Sequence, residues 1–185
     1  IMKVILIGAG RLATNLGKAL LEAGHDILQV YSRTMESASA LATLAGGAPV
    51  TEIEKVRKDA DVYIISVKDS VLPDLVQALC SGRSTKVFLH TAGSVNMDVF
   101  AGMALHYGVF YPMQSFSKEK TVSFHDIPCF VEANDDYARD VLMQLAQGLT
   151  TKIYQLSSED RKYLHLSAVF ACNFVIHCYA VSYDI

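Results

Sequence analysis

From residue 3 to residue 156 the chain repeats one pattern, a short apolar run followed by a longer stretch in which apolar residues recur every three or four positions. The runs Lys3–Ile7, Ile27–Tyr31, Val62–Val67, Val87–His90, Tyr107–Phe110, Cys129–Glu132 and Lys152–Gln155 predict strands, with a shorter one near Ala48–Val50. They are continuously apolar rather than alternating, as expected of strands covered on both faces. Between them, Arg11–Ala23 keeps apolar residues at 12, 13, 16, 19, 20 and 23 and stops at Gly24, the pattern of an amphipathic helix with a glycine end. Ser37–Ala45, Val71–Leu79 and Tyr137–Gly148 are the other predicted helices, the last with Asn134-Asp135 as its N-cap. Strand–helix alternation of this kind predicts an α/β fold with a doubly wound, mostly parallel sheet. The long connection Pro112–Pro128, with Lys118, Glu119 and Lys120 at its centre, is of a length that usually marks a functional or mobile segment.

The character changes after Gln155. Ser157-Ser158-Glu159-Asp160 reads as a helix start with acidic residues in the first turn. Leu164–Tyr183 is then apolar nearly all round, long enough to span a bilayer. His165, Asn173 and His177 inside it make a lipid-facing helix costly, so the expectation is no membrane but a buried helix of an all-helical second domain or a dimer interface. The division expected is 2–156 for the sheet domain and 157–185 for the first helix of the second. The apolar run reaches the last residue without a cap, and the rest of that domain is expected to lie beyond it. Ile1, ahead of Met2, is taken as a processing remnant and set aside.

Chemistry first shows where the opening strand ends. Lys3–Ile7 runs into Gly8-Ala9-Gly10-Arg11-Leu12-Ala13. Gly8 permits a sharp turn, Gly10 lets backbone approach a pyrophosphate, and Ala13 keeps helix and strand in close contact. Free amides at the helix start then favour an anion. At the end of the second strand an NAD-selective site usually carries an acid. This chain has Ser32-Arg33-Thr34 and no acid before Glu36. Hydroxyls and a guanidinium there suit a 2′-phosphate, which favours NADP.

Composition narrows the choice. The net charge of −3 offers no basic field for nucleic acid, and 51% hydrophobic residues exclude a disordered chain. Cys80, Cys129, Cys172 and Cys178 form no Cys-x-x-Cys or zinc spacing; they are expected to be reduced thiols packed as small hydrophobes in a cytoplasmic protein, with no metal.

Three later strand ends carry polar residues: Ser66-Val67-Lys68-Asp69, His90-Thr91-Ala92-Gly93-Ser94 and Tyr111-Pro112-Met113-Gln114-Ser115-Phe116. Ligands of open α/β sheets sit beyond such ends. Ser66, Val67, Lys68, Thr91, Ala92 and Gly93 are therefore candidates for the cofactor, with Val67, Lys68, Ala92 and Gly93 lining its nicotinamide half. His90, Ser94 and Gln114 are candidates for substrate; His90 could equally satisfy backbone at its strand end, Gln114 could tie down its loop, and Asp69 reads as a helix cap. On the following helix Lys162 and Asn173 stand eleven residues apart, which a regular α-helix returns to within about 20°. His165 lies one turn on, along the same stripe. A cation or imidazole to give a proton and an amide to orient are what reduction of a carbonyl or imine needs beside the hydride.

Gly8–Ala13, Tyr31–Thr34, Ile64–Lys68, His90–Ser94, Tyr111–Phe116 and the helix from Lys162 through His165 to Asn173 together resemble a bacterial NADP oxidoreductase-like family with a Rossmann domain and a C-terminal helical domain of unassigned function. It is related to pyrroline-5-carboxylate reductase, ketopantoate reductase, deazaflavin-dependent NADP reductase and the β-hydroxyacid dehydrogenases. The resemblance implies a cytoplasmic homodimer paired through its helical domain, binding NADP (NADPH) and a small-molecule substrate. In the β-hydroxyacid enzymes a lysine and an asparagine on the first helix after the Rossmann domain act in catalysis. Lys162 and Asn173 are similar in placement, although those enzymes space them Lys-x-x-x-Asn. The alternatives are a non-catalytic NADP(H) sensor, and hydride transfer to a flavin or deazaflavin.

Overall fold

A computed structural model describes residues 1–118 and 122–183. Glu119 and Lys120, expected at the centre of the long loop, lie outside the described residues. Strands β1 (Lys3–Ile7), β2 (Asp26–Tyr31), β3 (Ala48–Val50), β4 (Val62–Ile65), β5 (Val87–His90), β6 (His106–Pro112), β7 (Cys129–Ala133) and β8 (Ile153–Gln155) form one sheet in the order β3-β2-β1-β4-β5-β6-β7-β8. Every pairing is parallel except β6 with β7. The order reverses between β1 and β4, so the crevice at their carboxyl ends is the place where such sheets take ligands.

Continuous apolar strands serve two cores because successive side chains point to opposite faces. On β1, Val4 and Leu6 join one cluster while Ile5 and Ile7 join the other; β4 divides Val62 and Ile64 from Tyr63 and Ile65 in the same way. The first core is closed by α1 (Arg11–Glu22), α2 (Met35–Ala45) and α4 (Asp136–Gln147), the second by α3 (Leu72–Cys80) and the short turn carrying Phe100. Asp135 caps α4, accepting from the Ala138 amide. Asp69 does not cap α3. That helix starts after Val71 without a side-chain cap, and the Asp69 carboxylate accepts from the Ser94 hydroxyl instead. Helix α2 begins at Met35, earlier than expected, because Thr34 caps it by accepting from the Ser37 amide at 3.3 Å.

The final helix has three parts: α5 (Ser158–Val169), a π turn (Phe170–Phe174) and α6 (Val175–Tyr183). Ser157 caps it through the Asp160 amide. By length and composition the 26-residue helix Ser158–Tyr183 is apolar enough to cross a membrane. Its first turns are nonetheless bound to the sheet by polar contacts. Glu132 of β7 shares a face with Tyr111, since Val109 and Tyr111 of β6 oppose Glu132 and Phe130 in the antiparallel register. The Arg161 guanidinium, only 1% exposed, meets that carboxylate at 2.9 Å and donates to the Val95 carbonyl at 2.6 Å. Ser158 donates to the same carboxylate at 2.5 Å and accepts from the Met97 amide at 3.0 Å. Three segments distant in sequence thereby fix where α5 lands. Past Val169 the side chains are exposed, including Phe170, Phe174 and Tyr179, which is not the buried helix expected.

Removing one partner of a buried ion pair strands the other charge in low dielectric. Glu132→Ala is therefore expected to lower stability in urea melts by about 3–5 kcal/mol, and replacing both partners together (Glu132→Leu with Arg161→Met) to restore most of the loss. Additive losses would show that the two side chains act independently.

Candidate active site

The turn after β1 is set by contact as well as by dihedral freedom. Gly8 has φ +109°, and a Cβ there would sit 2.3 Å from the Ser66 carbonyl oxygen. Only glycine lets the ends of β1 and β4 come this close, at the point where strand order reverses. The chain enters α1 through Gly10, and the first intrahelical bond runs from the Thr14 amide to the Gly10 carbonyl at 2.9 Å. The amides of Arg11, Leu12 and Ala13 precede it and face the helix entrance, where the dipole favours negative charge. A Cβ on Gly10 would meet no atom within 4 Å, so the space over that turn is open. The Leu12 side chain packs on the core, leaving its backbone as the part that can serve an anion.

A cleft of about 310 Å³ lies over this turn. Gly8, Ala9, Gly10, Ser32, Arg33, Ser66, Val67 and Lys68 line it, as does Ser37. Thr34 does not; its hydroxyl is used as the α2 cap. Ser37, one turn into α2, is the hydroxyl brought to the cleft instead. Val67 and Lys68, expected beside the nicotinamide half, line the same cleft as Arg33. Arg33 is exposed and has no ion pair among the described residues.

From this cleft a row of contacts follows the carboxyl edge of the sheet. The Thr91 hydroxyl donates to Ser66 Oγ at 3.0 Å. Two residues on, Gly93 packs beneath α5, and a Cβ on it would lie 2.4 Å from His165 Nδ1. His165 in turn holds Tyr111: Nδ1 lies 2.8 Å from the phenol oxygen, with the rings edge to face at 5.7 Å. A second cavity of about 320 Å³ opens there, lined by Tyr111, Met113, Gln114, Ser115, His165, Val169, Cys172 and Asn173 among others. Ala92 is buried against the second core.

Several expected roles change. His90 follows Phe88 on the same face of β5 and points into the second core, its ring 5.8 Å from Phe100. It is fully buried, its Nδ1 accepts from the Ala92 amide at 3.1 Å, and burial together with the Arg161 charge pushes its pKa down to about 3. It is a neutral core histidine and not a substrate ligand. Ser94 is engaged with Asp69 and does not line the second cavity. Gln114 does line it, with Oε1 accepting from the Ser115 amide at 2.8 Å. Cys80 and Cys129 are buried, with thiols pushed up to about 12 by desolvation, whereas Cys172 and Cys178 are exposed rather than packed.

The helix stripe is redrawn by the π turn. Such a turn takes in one extra residue, so positions across it align as though one fewer separated them. Asn173 lies inside that turn, so its direction relative to Lys162 and His165 departs from the regular 100° step on which the expected stripe was built. Lys162 is exposed and outside the cavity, and His165 and Asn173 both line it. Tyr111, which meets His165 and lines the second cavity, was not among the candidate side chains. Its signal was an aromatic hydroxyl at the end of an apolar strand, directly before the Pro112-Met113-Gln114 turn.

Residues 3–92 match the family model described as NADP oxidoreductase, coenzyme F420-dependent. Residues 127–185 match a domain of unknown function, DUF2520, which takes in β7, α4 and β8 as well as the final helix. A Bacteroides fragilis protein assigned as an NADP oxidoreductase superposes with TM-score 0.93 at 47% identity, over 98% of this chain and 70% of its own. An imine reductase from Myxococcus stipitatus in complex with NADP⁺ gives TM-score 0.73 at 15% identity, over 96% and 63% of the two chains. Prephenate dehydrogenase from A. aeolicus, with hydroxyphenyl propionate and NAD⁺, gives 0.71 at 15%, over 96% and 70%. No curated protein matches the chain.

The Gly93 contact is open to test. Gly93→Ala forces its methyl group into the His165 ring and is expected to cost about 1–3 kcal/mol in urea melts. Paired with His165→Ala, the cost should be clearly smaller than the sum of the two single changes. A strictly additive double variant would separate Gly93 from His165.

Proposed function

Because this chain belongs to the NADP oxidoreductase family of its Bacteroides fragilis relative, we propose that it moves a hydride between NADP(H) and a small carbonyl, imine or hydroxy acid. The observation that carries the reading is the unbroken edge from an anion-accepting helix entrance to a polar cavity, running through Gly8, Ser66, Thr91, Gly93, His165 and Tyr111. The amides of Arg11 and Leu12 would hold the pyrophosphate. Arg33, with the Ser32 and Ser37 hydroxyls in the same cleft, would hold the 2′-phosphate, and Lys68 adds a second cation. When bound, the dihydronicotinamide supplies the hydride. Thr91, Ala92 and Gly93 flank the path between the two cavities. In the second, His165 holds a proton beside the substrate and Asn173 orients the substrate's polar atom by hydrogen bonding. The exposed aromatic and aliphatic side chains of the final helix favour pairing with a second copy through that helix.

One observation favours a second acceptor. The description of the matched N-terminal model names coenzyme F420, so hydride exchange between NADP(H) and a deazaflavin is the alternative. NADPH oxidation followed with small ketones, cyclic imines, flavin and deazaflavin separates these readings. Tight NADPH binding without turnover of any of them would favour a sensor.

Arg33→Ala is expected to weaken NADP⁺ binding by calorimetry about ten- to hundredfold, the scale of a lost charge-assisted contact, while leaving NAD⁺ nearly unchanged. Equal losses for both would remove Arg33 from the 2′-phosphate. Lys162→Ala, altering a side chain outside the cavity, should leave turnover unchanged.

A further inference from the structure

Among the described residues, Tyr111 is the one strand side chain that lines the second cavity. We propose that Tyr111 is the catalytic proton donor of this site, its hydroxyl meeting the substrate's carbonyl oxygen or imine nitrogen, and that His165 recharges it. This rests on the oxidoreductase reading above and goes further by naming the atom that delivers the proton.

The geometry supplies a relay. The phenol oxygen and His165 Nδ1 are 2.8 Å apart, and both side chains line the cavity that Asn173 also reaches. A phenol has one proton to give and two lone pairs to receive with, so it can accept from the imidazole while donating to a substrate. Tyr111 is 8% exposed. Burial raises its pKa above the ordinary value, Asp69 adds to the rise and Arg161 opposes it, so the hydroxyl keeps its proton at neutral pH and stands as a donor. The imidazole is held from two sides. Gly93 packs against its Cβ, Cγ and Nδ1, and the buried Arg161–Glu132 pair one turn earlier fixes the helix that carries it. His165 Nε2 has no partner among the described residues, which leaves it free to exchange protons with solvent.

In the reductive direction the hydride, with its electron pair, adds to the substrate carbon, and the π pair of the C=O or C=N bond moves onto oxygen or nitrogen. That atom takes the Tyr111 proton as the phenol O–H bond breaks. The phenolate then takes the proton from His165 Nδ1 as Nε2 takes one from water, which leaves a neutral imidazole with its proton on Nε2; proton exchange with water returns the proton to Nδ1 before the next turnover. The substrate gains one hydride and one proton; the hydride would come from a bound dihydronicotinamide, which would be oxidised in giving it. Asn173, turned toward the cavity by the π turn, is placed to hold the same substrate atom.

The test uses the full-length protein as wild type, Tyr111→Phe and His165→Gln. The phenylalanine variant keeps the ring and its packing and removes only the hydroxyl. Calorimetry with NADPH should give dissociation constants within about twofold of wild type for both variants, since neither residue lines the phosphate cleft. Turnover with the ketone and imine panel should fall by about a hundredfold or more in Tyr111→Phe, the usual range for a lost general acid, with a smaller change in KM. Independently of turnover, ¹⁵N NMR of the His165 ring without cofactor should report one tautomer in wild type and a mixture in Tyr111→Phe. Unchanged kcat in Tyr111→Phe, or a His165 tautomer indifferent to that change, overturns this inference and leaves the oxidoreductase reading standing. A wild-type protein that binds NADPH and reduces nothing in the panel overturns both.

Discussion

A guanidinium that is 1% exposed has to find its counter-charge inside the protein, and in this fold that need decides where the second cavity forms. Arg161 is in the first turn of α5, and Glu132 is on β7, with its side chain turned to the face that α5 crosses. Desolvating the pair is costly, and its mutual attraction offsets this only if the geometry is good and the remaining polar atoms are bonded. Ser158 and the Val95 carbonyl supply most of those bonds; Arg161 Nε is left without one. The pair is therefore better understood as a locator than as a large net source of stability. It holds α5 in one place over the carboxyl edge of the sheet, and everything that His165 touches follows from that position.

Two glycines convert that placement into a continuous path. At Gly8 the backbone of β1 approaches that of β4, and at Gly93 the backbone after β5 approaches the helix; a side chain at either would clash at 2.3–2.4 Å. Their roles differ. Gly8 sits at a positive φ, so dihedral strain and collision both exclude other residues. Gly93 has an ordinary φ, so the only obstacle to a side chain is the imidazole above it. A turn can be read from sequence alone because its local chemistry is local. A close approach to a helix seventy residues away cannot be, and the same glycine letter stands for both.

That difference explains what was legible in the chain. The strands and helices of the sheet domain lie within a few residues of their apolar runs, because burial on both faces imposes composition as well as period. The glycine turn after β1 was readable for the same reason, since it is one contiguous segment, and Arg33 does line the cleft over it. His90 was not. Its neighbours made it look like the polar end of a strand, yet alternation along β5 places it on the face of Phe88, against Phe100. Lys162 failed through a different cause. Its alignment with Asn173 assumed an unbroken α-helix, and one inserted residue in the π turn at 170–174 rotates everything beyond it by about one residue's angle. No propensity in Phe170-Ala171-Cys172-Asn173-Phe174 marks that insertion.

The same wide turn ties the interior of the site to its exterior. A regular helix through residue 174 would give Asn173 another direction relative to His165 and change which aliphatic and aromatic side chains face outward beyond it. With the extra residue, Asn173 joins His165 on the cavity side, and Phe170 and Phe174 stack on each other with ring centroids 4.7 Å apart on the exposed side. Whatever covers that exposed face therefore presses on the turn that positions Asn173. Covering it would remove apolar area from water, and on the proposed reading such a contact would bear on the turn that brings Asn173 to the second cavity.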